Sequence, residues 1–335
     1  MKYVKIFIIV GIAVLLLVFF FKDVNFAEVK RIVEQINPLY PVLFMLGTLV
    51  QFFIRAYRWG IILKPYKERI RLGTLLDFTA IGFFLNLLPG RLGEPARGIL
   101  LARREGFKQS QGLASVVVER MIDFLMLILM FLLSLFFIKG GGSPFLARLK
   151  TLSLYLLPVI LFVFFLFYFL NSPRVFAWVE RVLNVAVRVF PQRIRQRARE
   201  FLLNFLSGLK LDLKGWDFVR LFVVSFLVWF FILIFYWLLM KGFSIQAGLF
   251  DTVPYFAVLV VFAAVPTPGM TGTIDMGSKM ALVELYGVSI DTAVAYTLLV
   301  HVILLAAWII LGLVALWRQG LSVKTLRDIG KRREK

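Results

Sequence analysis

The sequence predicts an all-α integral membrane protein, with six full transmembrane helices and two re-entrant broken helices in an inverted-topology repeat. Three observations predict it. Of 335 residues, 61% are hydrophobic and only 17% charged, which is more apolar surface than a soluble domain of this length can hide. Several runs approach or exceed the ~20 apolar residues that carry a helix across the hydrocarbon core, and none has the alternating pattern of a barrel strand. Two further apolar runs, 72–88 and 252–266, are short for a span, and each ends in a Pro-Gly break.

The elements follow in order. Residues 4–21 come after Lys2 and lack a small-residue cleavage site, so they read as an uncleaved anchor rather than a signal peptide. Further spans are expected at 39–63, 112–138, 151–170, 218–240 and 291–317. Residues 173–210 read as two amphipathic helices broken at Pro191, with Arg174, Arg181 and Arg188 spaced by seven, lying against the inner leaflet. The expected organisation is an anchor and outer loop (1–38), a first repeat (39–138) holding the re-entrant segment 72–104, and a connecting helix with a basic hairpin (139–217). A second repeat (218–317) holding the re-entrant segment 252–286 and a basic tail (318–335) complete it.

The net charge of +20 resolves when it is mapped. Nine basic residues lie between Arg174 and Lys214 and seven from Arg318 to Lys335, whereas 22–38 and 241–291 carry no basic excess. The positive-inside rule then puts both termini in the cytoplasm, at the inner membrane of a prokaryote. Attraction to anionic inner-leaflet lipid, about 1 kcal/mol per basic residue near the surface, accounts for the rest. Nucleic acid is not required. With no cysteine there is no disulfide framework, thiol nucleophile or zinc cluster. The single histidine, His301, weakens any metal-enzyme or histidine-base reading, and no cofactor or metal is expected. No Walker motif is present, so ATP is not the expected driver.

An offset of 179 residues superposes the two broken regions: Pro89 falls on Pro268, Gly90 on Gly269, Gly93 on Gly272, Gly98 on Gly277 and Glu105 on Glu284. Each copy is a span, a broken short segment, a Pro-Gly-x-x-Gly turn, a short helix and another span. The first copy starts with a span running inward and the second with one running outward, so the broken segments enter from opposite sides. This is the arrangement of transporters that alternate access to a midplane site. Broken helices at membrane depth need protein cover or a wet cavity, so a cavity is expected between them.

In the first turn, Pro89, Gly90 and Gly93 permit the chain reversal, and Pro95 suits the first turn of a helix capped by Glu94. A helix N-terminus beside Arg91 and Arg97 is suited to an anion, and arginine grips phosphate in two places. The second turn, with Pro268, Gly269 and Gly272, offers Thr271, Thr273 and Asp275 as polar lining. Two placements of 89–94 stay open: at the midplane, or at the cytoplasmic surface as ordinary positive-inside charge. Glu119 and Asp123 fall one turn apart on one face of the span 112–138, with Arg120 beside them. They either line the cavity or neutralise Arg120 as structural glue. Arg55 and Arg58 read as snorkelling residues. Asp77 is a weaker site candidate, and His301 reads as a packing residue or, less simply, a proton relay.

The blocks FLNLLPGRLGEPARGILLARREG…A…VVVERMIDFL and VPTPGMTGTID…E…YG resemble the transmembrane region of lysylphosphatidylglycerol synthases, the flippase-like UPF0104 family, over roughly 1–320. The resemblance implies translocation of a lipid or lipid-linked substrate, with Pro89, Gly90, Arg91, Gly93, Glu94, Arg97, Glu119, Arg120 and Asp123 matching the family's block. In the full-length synthases a soluble aminoacyl-transferase domain follows; here only 318–335 follow the last span, so lysyl transfer is not carried over. The expected function is flipping of a phospholipid or lipid-linked anionic headgroup, with no catalytic residue. The alternatives are a non-catalytic lipid-binding scaffold for a separate lipid-modifying enzyme, and an intramembrane lipid transferase.

Overall fold

The structure, a computed structural model, describes residues 2–88, 93–137, 151, 173–186, 192–209, 213, 215–263, 265 and 267–321. Every regular element among the described residues is a helix. In chain order these are α1 (Lys2–Phe21), α2 (Phe26–Gln35), α3 (Leu39–Leu63), α4 (Leu72–Leu85), α5 (Gly93–Glu105) and α6 (Gln109–Phe137). They continue with α7 (Pro173–Ala186), α8 (Gln192–Leu209), α9 (Trp216–Gly242), α10 (Thr252–Ala263), α11 (Thr273–Tyr286) and α12 (Ile290–Arg318). The span expected at 151–170 lies outside the described residues apart from residue 151, as does the expected break at Pro191.

Among the described residues three helices, α3, α9 and α12, are long and apolar enough to cross a membrane. Helix α6 has the length but carries Glu119, Arg120 and Asp123 in its middle. Helices α4 and α10, at 14 and 12 residues, rise about 1.5 Å per residue and fall short of a ~30 Å hydrocarbon core. Exposed side chains such as Phe53 of α3, Phe222 of α9 and Ile310 of α12 present the outward apolar surface that a lipid environment solvates.

The helix ends are set by local chemistry. Asn25 Oδ1 accepts the Ala27 and Glu28 N–H groups at the start of α2, and Ser289 Oγ accepts that of Thr292 at the start of α12. Asn86 ends α4 and reaches forward, its Oδ1 accepting Gly93 N–H at 3.1 Å. The cap of α5 is therefore Asn86 and not Glu94, because the chain reversal brings the α4 end against the α5 start. Helix α1 ends under Lys279 of α11, whose ammonium donates to the carbonyls of Phe19, Phe20 and Lys22 at 3.2, 2.8 and 3.1 Å. A cation there satisfies carbonyls that have no partner in the helix and opposes the negative end of its dipole. Lys279→Met is expected to lower stability by about 1–2 kcal/mol, read as a lower unfolding midpoint of the full chain in detergent; an unchanged midpoint would rule the cap out.

Small residues let the helices approach. Helix α3 lies along α9 with Gly47 against the Phe235 ring, and α4 lies along α12 with Phe84 against Gly312. Helices α5 and α6 cross where Gly98 and Gly112 face one another, an added Cβ on either standing 2.3 or 2.1 Å from the other's carbonyl oxygen. One apolar core gathers around Tyr236, Tyr255 and Tyr296, and a second around Trp59, Phe78, Leu101 and Trp308. The turns after α4 and α10 touch, Gly269 N–H donating to the Asn86 carbonyl at 3.1 Å.

Candidate functional site

The packing of α3, α5 and α6 brings charged side chains together in the interior. Helix periodicity puts Arg55 and Arg58 on one face of α3, Glu119 and Asp123 on one face of α6, and Glu94 and Arg97 on one face of α5. Arg58 bridges the two α6 carboxylates, at 2.5 Å to Asp123 Oδ1 and 2.9 Å to Glu119 Oε1. Arg97 takes the other oxygen of Glu119 at 2.7 Å and Glu94 at 3.1 Å. Arg120 lies 2.9 Å from Asp123, 3.1 Å from Glu119 and 3.6 Å from Glu94, and Arg55 lies 3.6 Å from Asp123. Arg58 and Glu119 have side chains 0% and 1% exposed, while that of Arg120 is 42% exposed.

The snorkelling expectation for Arg55 and Arg58 is therefore corrected. A guanidinium near a helix end reaches for water when nothing nearer is negative; here Asp123 and Glu119 are nearer. Reciprocal pairing also explains how α6 holds charges in mid-helix, since an isolated charge at the bilayer centre costs about 2.5–3.5 kcal/mol on insertion scales. Trp59, one residue on from Arg58, supports the network from below. Its ring lies 4.6 Å from the Arg97 guanidinium, and its Nε1 donates to Ser115 Oγ at 3.0 Å, tying α3 to α6.

A cleft of about 420 Å³ opens beside this network. Its wall is one face of α6, Leu113, Val116, Val117, Met121 and Phe124, and Glu94, Pro95 and Arg120 complete it. The cleft is apolar except for its charged edge.

Five of the residues singled out from the sequence, Glu94, Arg97, Glu119, Arg120 and Asp123, thus meet in one place. Pro89, Gly90 and Arg91 lie outside the described residues. Thr271, Thr273 and Asp275 sit apart, Thr271 just before α11 and the other two in its first turn. There Thr273 is absorbed locally, its hydroxyl donating to the Met270 carbonyl and meeting Thr267 Oγ1, both at 3.0 Å. Asp275 faces α12 instead, with Oδ1 2.5 Å from His301 Nδ1 and Oδ2 accepting Gly272 N–H at 2.8 Å. A small cavity of about 30 Å³ adjoins this pair, lined also by Tyr236, Tyr255, Ser278 and Thr297. Asp77 is taken up at the end of α12 by Arg318 at 3.2 Å and Gln319 at 2.7 Å. Sequence reasoning missed Arg58 as the hub and Asn86 as the joint. The signal for Arg58 was present as an i, i+3 arginine pair in one apolar helix and an i, i+4 carboxylate pair in another.

The fold and the buried charges define a helical membrane protein with an ion-paired interior opening on an apolar cleft. The chain matches the family described as the lysylphosphatidylglycerol synthase TM region over residues 6–312, and it belongs to that family. It is also similar to a UPF0104 membrane protein of Methanothermobacter thermautotrophicus, 22% identical over 311 residues that cover 88% of this chain and 90% of that protein.

Proposed function

We propose that this protein moves a phospholipid or lipid-linked anionic headgroup across the membrane, holding the head at Arg120 while the apolar chains follow the α6 face. One observation carries the reading: the cleft joins an apolar wall to the exposed edge of a network with one more cation than anion. Among the described residues Arg55, Arg58, Arg97 and Arg120 stand against Glu94, Glu119 and Asp123. In a low-dielectric interior that residual charge attracts an anion, and an amphiphile is the anion that also covers an apolar wall. Arg97 and Arg120 both pair with carboxylates, but Arg97 is buried under Trp59 whereas Arg120 is exposed at the cleft, so Arg120 takes the phosphate contact. The cleft volume falls within the ~300–1,000 Å³ of ligand sites. The reading assigns no bond-making step.

The inverted-repeat reading gives the site its place. The series α3, α4, α5, α6 recurs as α9, α10, α11, α12 at the same offset that superposes the Pro-Gly turns. Helices α4 and α10 would enter from the cytoplasmic and outer faces, and their turns meet through Gly269 and Asn86. With both termini cytoplasmic, Glu119 lies ten residues into α6, about 15 Å deep and close to the midplane. The basic helices α7 and α8 rest on the anionic inner leaflet.

The test is dithionite quenching of fluorescent phosphatidylglycerol and phosphatidylcholine in proteoliposomes of the full chain. Wild type is expected to expose inner-leaflet label, and Arg120→Gln, reconstituted from its monodisperse folded fraction, to slow this about tenfold, equivalent to about 1.4 kcal/mol. Equal rates in both proteins would remove Arg120 from the path. No movement of any lipid would leave a lipid-binding scaffold as the better reading.

A further inference from the structure

The Asp275–His301 pair has no part in holding a headgroup, yet it is built as a site of its own. Asp275 is fixed at the start of α11 by the Gly272 N–H, which leaves its other oxygen for His301 Nδ1. Side-chain exposures of 4% for Asp275 and 14% for His301 place the pair in the interior. In a histidine, the hydrogen bond made by one ring nitrogen decides what the other does. With Nδ1–H donated to the carboxylate, Nε2 is the nitrogen that gains or loses a proton, and no described residue hydrogen-bonds it. The pair carries one negative charge when the imidazole is neutral and none when Nε2 is protonated.

The surroundings suit proton exchange. The adjoining cavity of about 30 Å³ has room for roughly one water. Tyr255 Oη, Ser278 Oγ and Thr297 Oγ1 line it as a hydrogen-bonded row with spacings of 2.8 and 2.6 Å. His301 lies eleven residues into α12, about 16 Å along the helix. The titratable and charged groups around it can be named element by element. Tyr255 of α10 and Tyr236 of α9 face the cavity. Lys279 of α11 is held by the α1 carbonyls, and α1 has no charged residue between Gly11 and Phe21. Asp77 of α4 is bound to Arg318 and Gln319 at the far end of α12. Glu28, Lys30, Arg31 and Glu34 of α2 lie at the other end, beside Asp291. Tyr236 packs on Phe44 of α3, with ring centroids 4.8 Å apart, and the same helix carries Arg55 into the cationic network through Asp123. Helix α3 is therefore the element that both sites share.

We propose that Asp275–His301 is an intramembrane proton-binding site coupled to anion binding at the Arg120 cleft, so that a proton enters the cycle with the headgroup. The coupling rests on the headgroup reading given above. Its sign follows from charge: the empty network is positive and repels a proton, and an anion in the cleft removes that repulsion. Linkage makes the effect reciprocal.

His301 is the sole histidine of the sequence, so nitrogen-15 histidine labelling of the full chain in phosphatidylcholine nanodiscs gives one pair of ring signals. The neutral form is expected to carry its proton on Nδ1, and acid to protonate Nε2. At the pH of half protonation, added phosphatidylglycerol is expected to raise the protonated-to-neutral ratio about fivefold, the low end of typical coupling. In Arg120→Gln that gain should vanish, leaving only the smaller response to membrane surface charge that both proteins share. A ring that never titrates, a neutral proton found on Nε2, or an equal response in Arg120→Gln would each overturn the proposal. Failure of lipid movement in the quenching assay, with the nitrogen-15 response intact, would overturn transport and leave the coupled proton site standing.

Discussion

Arg58→Ala is expected to destabilise the protein by roughly 3–5 kcal/mol, the range for removing one partner of a buried ion pair. Arg58 is fully buried and makes the shortest contact of the network, 2.5 Å to Asp123, together with one of 2.9 Å to Glu119. Its removal leaves Asp123 to the more distant Arg55 and to Arg120, and leaves a void where a large side chain stood. The variant should lose several degrees of unfolding midpoint in detergent and elute as aggregate on size exclusion. Arg58→Leu combined with Asp123→Leu should recover most of the loss, because apolar replacement of a whole buried pair is often neutral. The double variant also keeps the network's excess of one cation. If the single and double variants were equally unstable, packing volume rather than charge pairing would be the role of Arg58.

Gly93→Ala is expected to abolish lipid movement. An added Cβ at Gly93 would stand 1.9 Å from the Gly82 carbonyl oxygen and 2.7 Å from Asn86 Oδ1. These are atoms of the α4 backbone and of the joint between the turns, so α5 must back away from α4 as a unit. That displacement takes Arg97 off Glu119 and opens the cleft wall at Glu94 and Pro95, and overpacking alone costs about 1–3 kcal/mol. The control is Gly11→Ala, whose Cβ meets nothing within 4 Å on an outward part of α1. Initial quenching rates in proteoliposomes compare the two, and a Gly93→Ala protein that moved lipid at the wild-type rate would show the α4–α5 contact to be dispensable.

Much of this was legible in the sequence because its causes are local. Hydropathy and the Pro-Gly breaks placed the helices 39–63, 72–85, 216–242 and 252–263 within a few residues of their observed ends. The i, i+4 spacing of Glu119 and Asp123 put both carboxylates on one face without reference to any other helix. The cap of α5 was misread because Glu94 stands at the right position in the sequence, whereas Asn86, seven residues before Gly93, acts only once the chain has reversed. Thr271 and Thr273 looked like binding hydroxyls because a turn in isolation has nothing else to satisfy them, and the fold supplied Met270 and Thr267 to Thr273.

By itself, then, the sequence determined the membrane class, the order and length of most described helices, the family, and the residue types that meet at the cleft. Apolar length and glycine-proline chemistry act within one or two turns, so they are readable without coordinates. Which charges pair was decided only by tertiary structure. Arg58 finds Asp123 across 65 positions and Asp275 finds His301 across 26. A charge in an apolar interior takes the nearest opposite partner in space, and that distance is fixed by how α3, α5 and α6, or α11 and α12, lie against one another.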